Sequence, residues 1–412
     1  MQVLMIGSVW PEPASSGAGL RMIELIRLFR RQGWAVTFAS SAAPSDHMAD
    51  LDACSVRRAA IAVNQDSFDH FVSELQPDLV LFDRFTMEEQ FGWRVERCCP
   101  DALRVIETID LHCLREVRRR LFRRRAAVVR DVARDDLYND VALREIAALH
   151  RSDLSILVSD YEQQLLVAQF GLPASQLHLC PFMFENDAKQ AQPGYQARVD
   201  FTTIGNFRHA PNRDAVDWLR QQIWPRIRAH LPQARLHVYG AYMPAHAAAM
   251  HDPEGGFLMH GRADSVDAVM RRYRLCLAPL RFGAGIKTKL ADAMRNGAPV
   301  VSTSVGAEGM YRDDLAWPGG IEDDADAFAD AAVRLYCEQA RWQRAQADGH
   351  AIVRALFDAE RNGSALIERL LSLRAELAAH RRRHFTGMML RHHQQRSTEF
   401  MSRWIEAKNR QL

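Results

Sequence analysis

Short apolar runs alternate with amphipathic helical stretches along most of this chain, and the alternation stops once and then restarts. Val3–Ile6, Val36–Ala39, Leu79–Phe82, Val105–Thr108 and Leu154–Val158 read as strands, with helical stretches such as Leu20–Arg31 between them. Ser159 and Glu162 have the spacing of a capping box that opens the helix after Leu154–Val158. The stretch Ala188–Val199 then turns polar and reads as a linker. Phe201–Ile204, Arg235–Tyr239, Phe257–His260, Leu275–Ala278 and Val300–Ser302 resume the strands, Asp214–His230 reads as a helix, and the chain is helical beyond Asp326. Strands that alternate with helices bury themselves in a parallel sheet covered on both faces, and 412 residues exceed one core. The expected fold is α/β: two doubly wound parallel-sheet domains facing a central cleft. Residues 1–187 form the first, 188–372 the second, and 373–412 a helical segment packing back on the first.

Composition narrows the setting. Lys and Arg number 53 against 51 Asp and Glu, a net charge of +2, which argues against a polyanion-binding chain. The seven cysteines are odd in number and scattered, and the adjacent pair Cys98–Cys99 lacks zinc-site spacing. A reduced, cytoplasmic location is the expectation. The opening MQVLMIGSVWP reads as a strand and not as a signal peptide, and no apolar run has the length to span a bilayer.

Two loops carry the chemistry. In LRFGAGIKTKLADAMRNGAPVVSTSVGAEGM, from Leu280 to Met310, a strand runs into a turn with Gly283 and Gly285 and then a helix. Glycine lets backbone approach a ligand, and a helix start directs free N–H groups and a positive dipole end at one point. Arg281, Lys287 and Lys289 add full charges, so the expected guest is a phosphate or diphosphate. Asp292, further along the helix, is placed to accept ribose hydroxyls, and the turn Val305–Gly309 walls the same site. The loop PEPASSGAGLRM near the chain start also follows a strand, ends in glycines and opens a helix. One such loop per lobe suits a nucleoside diphosphate held between them.

The stretches IGSVWPEPASSGAGLRM, ETIDLHCLRE, FTTIGNFRHAPNRDAVDWLRQQIWP and RFGAGIKTKLADAMRNGAPVVSTSVGAEGM resemble, in this order along the chain, blocks of the retaining glycosyltransferases of family 4 (glycosyl transferases group 1), which have the GT-B fold. That resemblance implies metal-independent transfer of a sugar from a UDP- or GDP-sugar donor, with no cofactor. It implies catalytic roles for Lys287, Arg281, His112 and Asp110. It implies donor contacts from Gly17, Gly19, Asn206, Gly283, Gly285, Ile286, Thr288, Lys289, Asp292 and Gly306. His112, just past the strand Val105–Thr108, would meet the transferred sugar or an acceptor hydroxyl, and His209 is a second candidate. Three features depart from the family pattern: the first of its two spaced glutamates falls on Ala284, the second on Asp292, and the stretch Asn206, Phe207, Arg208 to Asn212 holds no lysine. A nucleotide-sugar epimerase on the same fold and a non-catalytic glycosyltransferase-like subunit therefore stay open.

The acceptor side is less marked. Arg115–Arg130 holds eight arginines, one acidic residue, and Leu121, Phe122, Val128 and Val129. A basic helix with apolar residues can lie on an anionic membrane. The expectation is peripheral contact with the inner face of the plasma membrane and a lipid-linked or cell-envelope glycan acceptor, with a protein acceptor as an alternative. A solvated face paired to Asp131, Asp135 and Asp136 is the competing reading. Nucleic acid is not expected, because the segment lacks interleaved aromatics. Asp50-x-Asp52 and Asp323-Asp324-Ala325-Asp326 follow no strong strand and are not expected to hold a metal. His380, His384, His392 and His393 are expected to decorate a basic C-terminal helix, and Phe400, Trp404 and Ile405 to give it an apolar stripe.

Overall fold

The computed structural model describes residues 1–185 and 192–409, without the side chains of 393–397 and 409. The first lobe is a seven-stranded sheet: β1 (Gln2–Gly7), β2 (Ala35–Ser40), β3 (Arg57–Ala60), β4 (Leu79–Asp83), β5 (Leu103–Glu107), β6 (Leu154–Leu157) and β7 (Leu177–Leu179), in the order β3-β2-β1-β4-β5-β6-β7. The second has six: β8 (Val199–Ile204), β9 (Leu236–Tyr239), β10 (Phe257–Gly261), β11 (Tyr273–Ala278), β12 (Val300–Ser302) and β13 (Gly319–Ile321), in the order β10-β9-β8-β11-β12-β13. Every neighbouring pair is parallel. The central strands are mostly buried, and apolar residues dominate them.

The sequence reading missed β3, β7 and β13. All three are edge strands. An edge strand needs no apolar run, and β3 is the largely exposed RRAA while β13 is GGI. The expected single helix Asp214–His230 is two helices, Ala210–Trp218 and Trp224–His230, joined by a π-turn at Leu219–Ile223. Pro225 has no N–H to give the preceding turn, and the wider turn absorbs the loss. The expected capping box also fails. Ser159 sits at the helix N-cap without a side-chain bond, and Glu162 turns elsewhere.

Part of the linker, residues 186–191, lies outside the described residues, as does the boundary expected at 187. The chain returns to the first lobe earlier than the expected 372. Phe184 donates its N–H to the Phe357 carbonyl (2.8 Å), and Ala359 donates back to the Phe184 carbonyl (3.2 Å). The helix Ala359–Ala375 then buries Leu366, Ile367, Leu370 and Leu373 against Val3, Met5, Leu28 and Phe29 of the first lobe.

The last helices correct two expectations. His380 and His384 are buried, not surface decoration: His380 Nε2 bonds the Asp153 carbonyl (2.8 Å), and His384 Nε2 meets Ser175 Oγ (3.2 Å). His392 is exposed, and the His393 side chain lies outside the described residues. Helix Phe385–Asn409 packs on the first lobe, yet Phe400 and Trp404 face solvent. Its anchor is polar. The buried Arg94 guanidinium donates to Asp69 (2.7 Å), Ser402 (3.0 Å) and Glu406. Arg94→Met leaves the Glu406 carboxylate without its guanidinium, while Asp69 keeps Arg97, and is expected to cost about 3 kcal/mol, whereas Phe400→Ser or Trp404→Ser stays within about 0.5 kcal/mol. Urea denaturation of the three variants measures the contrast.

Candidate active site

Strand order reverses between β1 and β4 in the first sheet and between β8 and β11 in the second. Loops leaving the C-terminal ends of strands at such points form a binding crevice. The loops after β1 and β5 come from the first lobe, and those after β8 and β11 from the second.

Helix Gly17–Arg31 starts at the cleft. Ser16 caps it by accepting from the Gly19 N–H (3.0 Å), and the amides of Gly17 and Ala18 have no acceptor among the described residues. Opposite stands helix Thr288–Arg295, with Lys287 at its N-cap and no side-chain cap. A Cβ on Gly17 would lie 2.9 Å from Thr288 Cγ2, so the two helix starts touch across the cleft and only glycine fits. Asn206, after β8, ties the lobes at the same level by donating to the Ser15 carbonyl (3.2 Å). Tyr242 donates to Glu12 of the first loop (2.8 Å).

The expected phosphate-binding cations divide. Lys287 Nζ reaches the Gly285 carbonyl (2.5 Å), and Lys289 Nζ reaches Asn212 Oδ1 (2.8 Å). Burial lowers both ammonium pKa values, that of Lys289 to about 8. Arg281 is occupied otherwise. It makes a two-pronged pair with Asp214 (2.6 and 2.9 Å) and stacks over Phe122 and Trp218. Its carbonyl accepts from Val129 of the first lobe (2.8 Å). Arg281 therefore braces the loop and does not face the helix starts as a free charge.

Asp292 is buried in helix Thr288–Arg295, and its Oδ1 accepts from Arg295 (3.0 Å). Burial raises its carboxyl to about 6. Ile286 is a packing residue of the second lobe. The turn at Val305–Gly309 is a short helix, Ser304–Ala307, whose amides are used internally. Gly306 donates to Thr303 (3.1 Å) and Ser304 to Asp323 (2.8 Å), so Gly306 offers no free N–H.

Around β5 the first lobe assembles a charged cluster. Ile109 adopts φ 63°, an unusual conformation for a β-branched residue, and the turn brings Asp110 beside Gly285 of the facing loop. Asp110 pairs with Arg115. Burial works to raise the Asp110 carboxyl, but the Arg115 charge outweighs it and holds it at about 2. His112 opens the next helix, where Glu145 accepts from its N–H (3.0 Å). Its Nε2 lies 3.7 Å from Asp110 and has no hydrogen-bond partner among the described residues. Burial and the Arg115 charge push the His112 imidazole down to about 3 and that of His209 to about 4. Both rings are neutral at physiological pH.

Three residues at this junction escaped the sequence reading as site residues. Arg118 donates to Glu308 (2.7 and 2.6 Å) and to the Gly283 carbonyl (2.8 Å). Glu162 accepts from the Gly285 N–H (2.7 Å). Arg118 was hidden in the arginine run, Glu162 in an apparent capping box and Glu308 in a glycine turn. The acidic candidates Asp52, Asp323, Asp324 and Asp326 pair with Arg58, cap Ser304, cap their own helix and pair with Arg226.

Residues 198–338, most of the second lobe, match the family model described as Glycosyl transferases group 1. A search of curated proteins finds no match. Among solved structures, the chain is similar to Anabaena Alr3699/HepE in complex with UDP and glucose (TM-score 0.66, 15% identity, 90% of this chain and 100% of that one). It is also similar to sucrose-phosphate synthase from Thermosynechococcus elongatus (0.64, 17%, 91% and 99%). A third is WaaG, a glycosyltransferase involved in lipopolysaccharide biosynthesis (0.61, 10%, 89% and 98%). At such identities the likeness establishes the fold, which is GT-B. The domain match and that fold together support a glycosyltransferase.

The neutral histidines have a measurable consequence. Unfolded histidines gain a proton below about pH 6.5, whereas His112 and His209 stay neutral down to about 3 and about 4. The unfolded chain then binds more protons, so these residues withdraw stability as pH falls from 6.5 toward 4. In NMR titrations their ring signals are expected to stay fixed from pH 8 to about pH 5, where an exposed histidine moves.

Proposed function

We propose that the chain is a retaining glycosyltransferase of family 4 that takes its sugar from a UDP- or GDP-sugar bound between the lobes. The observation that carries this reading is the meeting of two helix starts without free-amide acceptors, one per lobe, flanked by Lys287 and Lys289. Charge grows on the leaving diphosphate as the glycosidic bond breaks. Preorganised cations and N–H groups stabilise that charge without a reorganisation cost at the moment of reaction. Lys287, Lys289 and the amides of Gly17 and Thr288 take this role in our reading, and no metal ion is assigned to it. Asp292 keeps Oδ2 outside its Arg295 bond for ribose hydroxyls. His112 offers an unbonded Nε2 to a hydroxyl of the sugar or the acceptor, with Asp110 and Arg115 beside it. The ligands of the HepE structures, UDP with glucose and UDP-glucose, support the donor class.

For the acceptor we propose a lipid-linked or cell-envelope glycan, reached by peripheral contact with an anionic membrane; a protein acceptor is an alternative. No described helix is long and apolar enough to cross a bilayer. The arginine run is partly consumed by structure: Arg115, Arg118, Arg119 and Arg120 pair with Asp110, Glu308, Glu116 and Asp136. Arg123, Arg124 and Arg125, at the far end of helix His112–Arg125, are exposed and form no ion pair among the described residues. They are the group left for a lipid surface. A non-catalytic subunit is the second reading, favoured by Ala284, which packs against the first lobe where the family has a glutamate.

Two measurements decide. Incubation with UDP- and GDP-sugars is expected to give slow donor hydrolysis and nucleotide binding. Lys287→Ala should weaken binding about 10- to 100-fold, the worth of one charge-assisted hydrogen bond. Binding without turnover under any acceptor condition favours the non-catalytic reading, and interconversion of the sugar favours an epimerase. In flotation at low salt, anionic vesicles should recover more protein than neutral ones, and replacing Arg123, Arg124 and Arg125 with Gln should abolish the difference.

A further inference from the structure

We propose that Arg118 and Glu162 are positioning residues: from the first lobe they grip both ends of the Gly283–Gly285 tip of the second-lobe loop, so that the tip takes its shape only when the lobes are closed.

The tip is held almost entirely from across the cleft. Arg118, fully buried on helix His112–Arg125, is oriented within its own lobe by donating to the Arg130 carbonyl through Nε (3.0 Å) and Nη2 (2.6 Å). It then spends Nη1 on the Gly283 carbonyl (2.8 Å) and both terminal nitrogens on the buried Glu308 carboxylate. Glu162, also fully buried, uses Oε1 twice, for the Leu111 N–H of its own lobe (3.2 Å) and the Gly285 N–H of the other (2.7 Å). Between these two grips Ala284 packs into the apolar cluster of the first lobe.

The tip cannot hold this shape by backbone preference. Gly283 has φ 145° and Gly285 φ 66°, and glycine in the unfolded or released loop samples both signs of φ freely. From its own lobe the tip receives the Lys287 ammonium on the Gly285 carbonyl. Lys287 is thus oriented by a carbonyl whose neighbouring N–H is fixed by Glu162. Burial pushes the Glu162 carboxyl up, and its Oε2 has no partner. In its protonated form Oε1 is still the acceptor for both amides. A glutamine offers the same acceptor oxygen, whereas alanine removes it.

The catalytic consequence rests on the nucleotide-sugar reading, but the grip itself does not, and the experiment separates them. Hydrogen exchange is followed by mass spectrometry at the segment 281–290 of the whole unliganded protein, for the parent, Glu162→Ala, Glu162→Gln and the double variant Arg118→Met/Glu308→Met, which removes both members of the ion pair together. Exchange at the tip is expected to rise about tenfold or more in Glu162→Ala and in the double variant, and to stay within about twofold in Glu162→Gln. With a UDP- or GDP-sugar, kcat should fall more than about tenfold in the first two while donor Kd changes less than about threefold, because the lost order belongs to the closed state. Glu162→Gln should retain turnover. Unchanged tip exchange in folded Glu162→Ala and folded double variant overturns the proposal, as does equal loss of turnover in Glu162→Gln and Glu162→Ala. Raised exchange in a protein that binds no nucleotide leaves the grip standing and removes the nucleotide-sugar reading.

Discussion

A guanidinium with no access to water must find its hydrogen-bond acceptors within the protein, and for Arg118 those acceptors lie on both lobes. Leaving such a charge unpaired in a low-dielectric interior is costly. Electrostatic pairing is therefore one of the contacts that fix the relation between the lobes. The same holds along the cleft, where Glu12 meets Tyr242, Ser15 meets Asn206 and Glu162 meets Gly285. The stacked rings of Phe122 and Phe282 (4.8 Å) add an apolar contact. Polar partners can be exchanged for water as a cleft opens, whereas an apolar core cannot be opened without full loss of its burial. A polar seam is the kind that can part to admit a ligand and close again.

Charge within the seam is arranged with equal economy. Lys287 and Lys289 sit half-buried near two helix starts, and desolvation lowers the proton affinity of both. An anion bound there would reverse that effect, since an opposite charge favours the ammonium form. On the other side, Asp110 and Arg115 hold each other charged while His112 and His209 stay neutral. The cleft thus has a cationic side at Lys287 and Lys289 and, opposite, a side where the Asp110–Arg115 pair balances its own charge beside two neutral histidines.

Motion between the lobes is limited by where the chain crosses. The outgoing segment at Phe184 and the returning one at Phe357–Ala359 are bonded to each other, and Phe184 packs on Phe357 (5.6 Å). The two crossings form one paired strap, so any opening has to bend at this strap while the cleft separates at the far side. Helix Ala359–Ala375 and the polar anchor at Arg94 then fasten the chain end to the first lobe.

By itself the sequence determined the alternation, and with it the two parallel sheets. The central strands were legible because apolar residues dominate them, although β5 also buries Arg104 and Glu107, while β3, β7 and β13 were not, because these edge strands are short or exposed. It also determined the glycine turns and the lysines at the start of helix Thr288–Arg295, which follow from local backbone geometry. Tertiary structure decided which charges remain available. Arg281 looked equivalent to Lys287 in the sequence, but Asp214, distant in the chain, claims it. Glu162 has the spacing of a helix cap, yet it turns across the cleft to Gly285, and Arg118 is separated from seven other arginines of its run only by the presence of Glu308 opposite. Local periodicity specifies which residues form an element; the partner of a charged side chain is set by which element the fold brings against it, and that lies beyond the reach of neighbouring residues.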